Sequence, residues 1–169
     1  MSVADPQFDQ VITEHYAMLY RFAWSLTRNE AESLDLTQQT FYLWAIKRGP
    51  MRDASKLKSW LCTTLYREFL SSRRHAQRFP KVEVSLVEQE LPAVEPEIIE
   101  KMDAALVMET LLDLAEIFRA PLMLFYAEDR TYQEIAHILG VPLGTVMSRL
   151  ARGKQELRRL LAAKTMQAP

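Results

Sequence analysis

Apolar positions recur at helical spacing through most of the chain, and polar clusters separate the runs. In the N-terminal half, these runs cover residues 8–28, 29–50 and 55–75. Asn29 with Glu32 matches a capping box, and Ser55 is placed to cap the third run. Gly49 followed by Pro50 is typical of a helix end. No strand-like alternation exceeds a few residues, so the pattern predicts an all-α chain that begins with a three-helix bundle.

Each of these three runs has a face that we expect to be buried. The faces comprise Phe8, Val11, Ile12, Leu19, Phe22, Ala23 and Leu26 in the first run, Leu34, Gln38, Phe41, Tyr42 and Ala45 in the second, and Leu57, Trp60, Leu61, Thr64 and Leu65 in the third. The three tryptophans and several phenylalanines are expected to fill the centre of the bundle.

The third run combines aromatic and basic side chains. Trp60, Tyr66 and Phe69 offer stacking surfaces for single-stranded bases, and the arginines near its end offer phosphate contacts. The alternative is that Trp60 belongs to the core and that the arginines are only solvated. We favour the core for Trp60 and phosphate contacts for Arg73, Arg74 and Arg78.

The middle of the chain changes character. Residues 79–100 contain three prolines, no glycine and a strong acidic bias. They cannot sustain a long helix, so we expect a linker with a domain boundary inside it. Helical spacing resumes near Glu97. Pro121 should kink or shorten the following helix unless it lies in the first turns.

Residues 131–161 predict two helices joined by a tight turn. Thr131 followed three residues later by Glu134 is a capping box. Gly140 suits the left-handed position just after a helix, and Pro142 suits the first turn of the next one. The second helix, from Pro142 to Leu161, would be about 30 Å long.

The two sides of this last helix differ. One stripe is apolar or small and consists of Val146, Leu150, Gly153, Leu157 and Leu160; the opposite side consists of Gly144, Ser148, Arg152, Gln155 and Arg159, flanked by Thr145 and Arg149. A small first turn lets the helix end approach DNA, and arginines bind guanine edges or phosphate oxygens. The pattern predicts a helix-turn-helix whose second helix is the recognition helix. The alternative is a helical hairpin with a solvated basic face.

Composition adds a charge pattern to this layout. The chain has 169 residues and a net charge of −1, but residues 67–78 and 149–159 are basic and the stretch between 81 and 100 is acidic. Cys62 is the single cysteine, which excludes internal disulfides and suits a reducing cytoplasm. The sequence has no signal peptide and no apolar run of 18 residues, so we expect a cytoplasmic protein without a membrane span.

The segment EIAHILGVPLGTVMSRLARGKQELRRLL resembles the promoter-reading module of bacterial extracytoplasmic-function (ECF) sigma factors. Their pattern is close to EIA-x-x-L-G-x-P-x-GTV-x-SRL-x-R-x-x-x-x-L, usually with Lys where this chain has Met147. Upstream, SLDLTQQTFYLWAI is similar to the family helix that docks on the clamp of RNA polymerase, and KLKSWLCTTLYREFLSSRR resembles the next family helix. In the latter, Arg67 replaces a common Asn and Ser71 a common Asp.

The resemblance implies a sigma domain 2 in residues 1–78, a linker in 79–103 and a sigma domain 4 in 104–169. It implies contacts to the −35 promoter element from Thr131, Gly144, Thr145, Met147, Ser148, Arg149 and Arg152. It implies contacts to the −10 element from Trp60, Arg67, Ser71, Arg73 and Arg74. It implies polymerase contacts from Asp35, Gln38, Gln39, Phe41 and Tyr42.

The same resemblance implies the partners. These are core RNA polymerase, through the clamp of its largest subunit and the flap of its second subunit, and promoter DNA. Many members of the family are also held inactive by an anti-sigma factor. The acidic linker is expected to thread near the polymerase active site and the RNA exit path.

Other chemistry finds little support in the sequence. Glu134 and His137 form an E-x-x-H pair, but a di-iron bundle needs a second copy and two more glutamates. The chain has no glycine-rich phosphate loop and no nucleophile elbow, so we expect no enzyme activity, no metal and no cofactor. The remaining alternative is a dimeric helix-turn-helix regulator with an N-terminal sensory or dimerisation domain, which leaves the motif DLTQQTF unexplained.

Overall fold

A computed structural model describes residues 6–47, 53–76 and 103–167. Within these ranges the chain forms seven helices and no strand, so the predicted all-α fold is confirmed. The helices are α1 (Pro6–Thr27), α2 (Glu30–Ile46), α3 (Ala54–Ala76), α4 (Ala104–Leu112), α5 (Glu116–Tyr126), α6 (Tyr132–Leu139) and α7 (Leu143–Gln167). The chain divides into two compact units, with α1 to α3 in the first unit and α4, α5 and α7 in the second.

The first unit is a three-helix bundle in which each helix packs against the other two. Leu19 and Phe22 of α1 and Leu61 and Leu65 of α3 have no solvent exposure. These four side chains lie on the faces that helical periodicity predicts, so burial of apolar surface accounts for the pairing of α1 with α3.

The tryptophans do not fill this centre, contrary to the prediction. All three of them keep partial exposure: Trp24, Trp44 and Trp60. A large ring whose N–H needs a polar partner is seldom fully buried. Trp44 instead stacks on Phe8, with the two ring centroids 5.4 Å apart.

The buried face of α2 also differs from the predicted one. It consists of Ser33, Leu36, Thr37, Thr40 and Phe41, whereas Gln38 and Tyr42 are exposed. The hydroxyl of Thr37 donates to the carbonyl of Ser33 at 2.8 Å, and the hydroxyl of Thr40 donates to the carbonyl of Leu36 at 2.7 Å. Because these hydroxyls are satisfied within the helix, they can be buried at little cost, and apolar spacing does not reveal the face.

The helix ends of the first unit depart from the predicted caps. Asn29 Oδ1 accepts from the amide of Glu32 at 3.0 Å, but the Asn29 amide donates to the hydroxyl of Thr27, so the reciprocal half of a capping box is not made with Glu32. At the start of α3, Asp53 and not Ser55 supplies the accepting oxygen, which takes the Ser55 amide at 3.0 Å. The predicted Gly49–Pro50 stop lies outside the described residues.

In the second unit, α7 packs against α5 and α4. Its core includes Leu111, Leu122, Leu124, Leu150 and Leu157, each at most 1% exposed. α5 passes through its internal proline and continues to Tyr126, so the proline does not end the helix. The proline is itself buried, which places the ring in the packing of the unit.

Arg119 ties α4 to α5. Its Nη1 donates to the carbonyls of Leu112 and Leu114, both at 3.0 Å. These carbonyls belong to the end of α4 and the loop that follows, so a buried guanidinium satisfies backbone acceptors that the helix leaves open.

α4 begins at Ala104 behind Asp103, whose carboxylate accepts from the Ala105 amide at 3.0 Å. The expected return of helix near Glu97 and the acidic linker of residues 79–100 lie outside the described residues. None of the described helices is both long and apolar enough to span a bilayer.

Candidate nucleic-acid interface

The N-terminal end of α6 is a complete capping box, as predicted. Thr131 Oγ1 accepts from the Glu134 amide at 3.2 Å, and Glu134 Oε2 accepts from the Thr131 amide at 2.8 Å. Glu134 Oε1 also accepts from Arg130 Nη1 at 3.0 Å, which fixes the carboxylate from a second side. Two helix amides are thereby satisfied without solvent, so the start of the motif is set by local chemistry.

The turn between α6 and α7 is closed by Gly140, as predicted. Gly140 has φ 64° and ψ 37°, the left-handed conformation that a side chain disfavours. The amide of Val141 donates to the Ala136 carbonyl at 3.1 Å and completes the turn. α7 then starts at Leu143, one residue later than predicted, and the Pro142 carbonyl accepts its first helical bond.

α7 buries the predicted stripe, and it continues beyond the predicted end at Leu161 to Gln167. Val146, Leu150 and Leu157 are at most 1% exposed. Leu161 is also buried, whereas Leu160 is only partly so, because the stripe drifts around the helix along its length.

Gly153 permits the close approach of α5 to α7. A Cβ at this position would lie 2.8 Å from Leu122 Cδ1 and 3.1 Å from Phe118 Cβ. The glycine is buried, in agreement with its predicted place in the stripe. The close contact fixes α7 on the unit and leaves the opposite side of its first turns exposed.

That opposite side forms what we call the recognition face, which comprises Gly144, Thr145, Met147, Ser148, Arg149 and Arg152. Gly144 is exposed, and a Cβ built on it would meet nothing within 4 Å. Ser148 and Arg152 are partly exposed, and the Ser148 hydroxyl donates to the Thr145 carbonyl at 3.0 Å. Thr131 is exposed at the head of α6.

The arginines of α7 are not equivalent. Arg149 has a buried Nε for which the described residues offer no hydrogen-bond partner. Arg159 instead donates to both carboxylate oxygens of Glu156, at 3.0 and 2.6 Å, and this pairing raises the pKa of Arg159 and lowers that of Glu156. Arg159 therefore has an anionic neighbour on its own helix, while the Nε of Arg149 is enclosed by the protein and is not available to a ligand.

Sequence reasoning overlooked Lys154. Its Nζ lies 5.0 Å from the ring centroid of Phe125 and 5.6 Å from that of Tyr126. Burial lowers its pKa, and the charge of Arg158 adds to this effect. Lys154 is thus a packing contact between α7 and α5 as well as a cation.

The first unit has a separate surface feature, which we call the α2–α3 groove. It is an open groove with a volume of about 920 Å³. Its lining comes from Glu32, Asp35, Leu36, Gln38, Gln39 and Tyr42 of α2 and from Glu68, Ser71, Ser72, Arg73 and His75 of α3. Carboxylates outnumber arginine in this lining, so the groove is a poor site for phosphate and suits a protein surface with donors.

The groove brings together residues that the sequence assigned to two different contacts. Four polymerase candidates of α2 (Asp35, Gln38, Gln39 and Tyr42) line it with two −10 candidates of α3 (Ser71 and Arg73). Four other candidates are not part of the lining. Phe41 belongs to the buried face of α2 and is 5% exposed, and Trp60 is partly buried. Arg67 and Arg74 are exposed on α3 outside the groove, and Arg78 lies outside the described residues.

Two family models match this chain. Residues 11–79 match the family described as Sigma-70 region 2, and residues 104–157 match Sigma-70, region 4. The chain is 32% identical over 163 residues to the ECF RNA polymerase sigma factor SigE of Mycolicibacterium smegmatis. The aligned region covers 94% of this chain and 63% of SigE. It is also 30% identical over 148 residues to the ECF RNA polymerase sigma factor SigL of Mycobacterium tuberculosis. This aligned region covers 86% of this chain and 83% of SigL.

A solved structure is similar over nearly the whole chain. It is the sigma factor RpoE of Bartonella quintana in complex with the anti-sigma factor NepR, with a TM-score of 0.70 and 28% sequence identity. The similarity covers 94% of this chain and 98% of the other. With both sigma-70 regions present in order, and with relatives such as SigL, the chain belongs to the ECF family of RNA polymerase sigma factors.

Proposed function

We propose that this protein binds core RNA polymerase and directs transcription initiation at specific promoters. The observation that carries the proposal is the recognition face, which a capped turn and the Gly153 contact hold exposed in a chain with both sigma-70 regions. The proposed division of labour gives residues 1–78 the polymerase clamp and the −10 element, and residues 104–169 the −35 element and the polymerase flap. Residues 79–103 connect them.

For the −35 element, we assign direct contacts to the recognition face together with Thr131. The first turn of α7 has no bulky polar side chain, so its backbone amides can approach phosphate oxygens. Arg149 and Arg152 follow within the next two turns, where guanidinium groups can form paired bonds to guanine. Arg149 is partly exposed, and because its Nε is buried, we assign its DNA contact to the terminal nitrogens of the guanidinium.

For the −10 element, the exposed basic end of α3 is the proposed contact. Arg67, Arg73 and Arg74 are exposed there, and Ser71 lies among them. The guanidinium of Arg73 lies over the ring of Phe69, 5.3 Å from its centroid, in a cation–π contact. Trp60 is partly buried, and we assign the accessible part of its ring to base stacking.

For polymerase, the α2 side of the α2–α3 groove is the proposed contact. Asp35, Gln38 and Gln39 are exposed acceptors and amides on one helix face, and the ring of Tyr42 is 60% exposed beside them. A large exposed aromatic with surrounding polar groups is typical of a protein interface. The structure of RpoE with NepR supports a further partner for this chain, an anti-sigma factor.

Run-off transcription with purified core polymerase and a promoter library tests the proposal. The chain should select promoters with a defined −35 and −10 sequence, and core polymerase without it should not. Arg149→Ala and Arg152→Ala should each cost about 1–3 kcal/mol of recognition and relax preference at one −35 position. Equal transcription from selected and scrambled −35 elements would overturn the assignment of the recognition face.

A further inference from the structure

Two large apolar side chains in the first two turns of α7 remain outside the core of the unit. Leu143 is 42% exposed and Met147 is 52% exposed. They are four residues apart, so they neighbour each other on one side of the helix. The packing of these turns does not use them, because Val146 and Leu150 provide the buried contacts.

The position of Met147 relative to the polar residues is set by helix geometry. At about 100° per residue, Met147 lies to one side of Ser148, and Arg149 lies to the other by the same angle. The recognition face therefore has an apolar flank, Leu143 with Met147, and a cationic flank, Arg149. A helix in the major groove would present both flanks to base edges.

We propose that Met147, with Leu143 beside it, contacts the methyl group of a thymine in the −35 element. The inference rests on the proposed function, because it requires α7 to bind that element. Thymine alone presents an apolar group in the major groove, where the other base edges present donors and acceptors. An unbranched thioether fits such a group, and it has no donor for a phosphate oxygen.

The contact would complement the arginines. Guanidinium groups select guanine through paired hydrogen bonds, and they do not distinguish thymine by its methyl group. An apolar flank adds a second kind of selectivity, which depends on methyl burial and is insensitive to salt. Met147 is then a specificity-determining residue and not a general anchor.

Replacement of thymine by deoxyuridine tests the contact, because deoxyuridine lacks only the methyl group. The full chain with core polymerase is first used to select a promoter. Each −35 thymine of either strand is then replaced singly, and holoenzyme affinity is measured. At one position, we expect a loss of about three- to fivefold, the size of one buried methyl group. The Met147→Ala variant should lose this difference and bind both duplexes equally.

Two variants make the result specific. Met147→Leu keeps an apolar side chain and should retain the preference for the methyl group. Met166→Ala removes a methionine that is 88% exposed near the other end of α7, and it should behave like the unchanged protein. The folding of each variant is checked by circular dichroism.

The outcomes separate this inference from the proposed function. A selected −35 element without thymine overturns the methyl contact, and so do thymines that all tolerate deoxyuridine. An equal loss in the unchanged protein and in Met147→Ala also overturns it, while leaving the sigma-factor function intact. A chain that selects no −35 element overturns both.

Discussion

The recognition face and the α2–α3 groove are built in different ways. The recognition face belongs to a motif whose start and turn are fixed by neighbouring residues: Thr131 caps α6, and Gly140 closes the turn to α7. The groove combines residues 32–42 with residues 68–75, which only the packing of the three-helix bundle brings together. The first surface should therefore respond to changes in local backbone chemistry, and the second to changes in the bundle core.

The largest effect is expected from a core cavity in the first unit. Leu65 has no exposure, so Leu65→Ala should lower the free energy of unfolding by about 2–5 kcal/mol. Tryptophan fluorescence during chemical unfolding reports this unit, because all tryptophans of the chain lie in it: Trp24, Trp44 and Trp60.

Leu70→Ala is the matched control on the same helix. Leu70 is 36% exposed, so its loss should cost much less. Similar costs for Leu65→Ala and Leu70→Ala would contradict the assignment of the bundle centre. If the groove depends on the bundle, polymerase binding should weaken only with the first variant.

A double change in the groove lining should give the next largest effect. Asp35→Ala with Gln38→Ala removes two exposed polar groups without disturbing the buried face of α2. If these groups hydrogen-bond to polymerase, the affinity should fall roughly ten- to hundredfold, measured by titration of core polymerase. Circular dichroism should be unchanged.

The control for this double change uses α1. Gln10 and Glu14 are exposed and hydrogen-bonded to each other at 2.8 Å. Replacing both with alanine removes the same kinds of group from a different surface, so polymerase affinity should persist. Undiminished binding by the groove variant would remove the α2–α3 groove from the polymerase interface.

A smaller effect is expected at the turn of the recognition motif. Gly140→Ala places a side chain at φ 64°, which should cost about 1–2 kcal/mol. Hydrogen exchange of the α6 and α7 amides measures the local loss of stability. Gly144→Ala is the matched control, because its added Cβ meets nothing within 4 Å. Greater protection loss in the Gly144 variant would show that the turn does not hold the motif.

The smallest effect is a pH dependence from His15 in the first unit. Burial lowers the pKa of His15 from its usual 6.5, with Glu14 opposing and Lys58 adding to the shift. The folded state therefore favours the neutral imidazole, and stability is lost as pH falls through 6.5, where the unfolded histidine takes up its proton.

His15→Gln should lose this part of the pH dependence, measured by tryptophan fluorescence during chemical unfolding between pH 8 and about pH 5. His75→Gln, at the exposed end of α3, is the control and should keep it. Identical pH profiles for His15→Gln and the unchanged protein would exclude the histidine as the source.

The contrast between local chemistry and bundle packing also explains how much of each surface the sequence predicts. The capping box at Thr131, the left-handed Gly140 and the stripe of α7 were all predictable, because each depends on residues a few positions apart. The buried face of α2 was not, because Thr37 and Thr40 are polar in the sequence and lose that character only when their hydroxyls bond to the helix backbone. The cap of α3 by Asp53 was also missed, because Asp53 and Ser55 could each serve as the acceptor and the sequence does not distinguish them.

The candidate sites show the same limit. Part of the groove lining could be named from the sequence by resemblance, but the placing of Asp35 and Arg73 in the same groove depends on packing between α2 and α3. Likewise, helical periodicity did not single out Leu143, which begins α7 and is 42% exposed.

The central claim is that this chain recognises promoters as a subunit of RNA polymerase and not by itself. The recognition face has few cations, and the net charge of the chain is −1, so the free protein should gain little from phosphate contacts. Gel shifts at about 150 mM salt with a promoter selected by run-off transcription measure this directly. We predict weak binding by the free chain and tight, sequence-specific binding when core polymerase is added. Nanomolar, sequence-specific binding by the free chain as a dimer would contradict the account and favour a helix-turn-helix regulator.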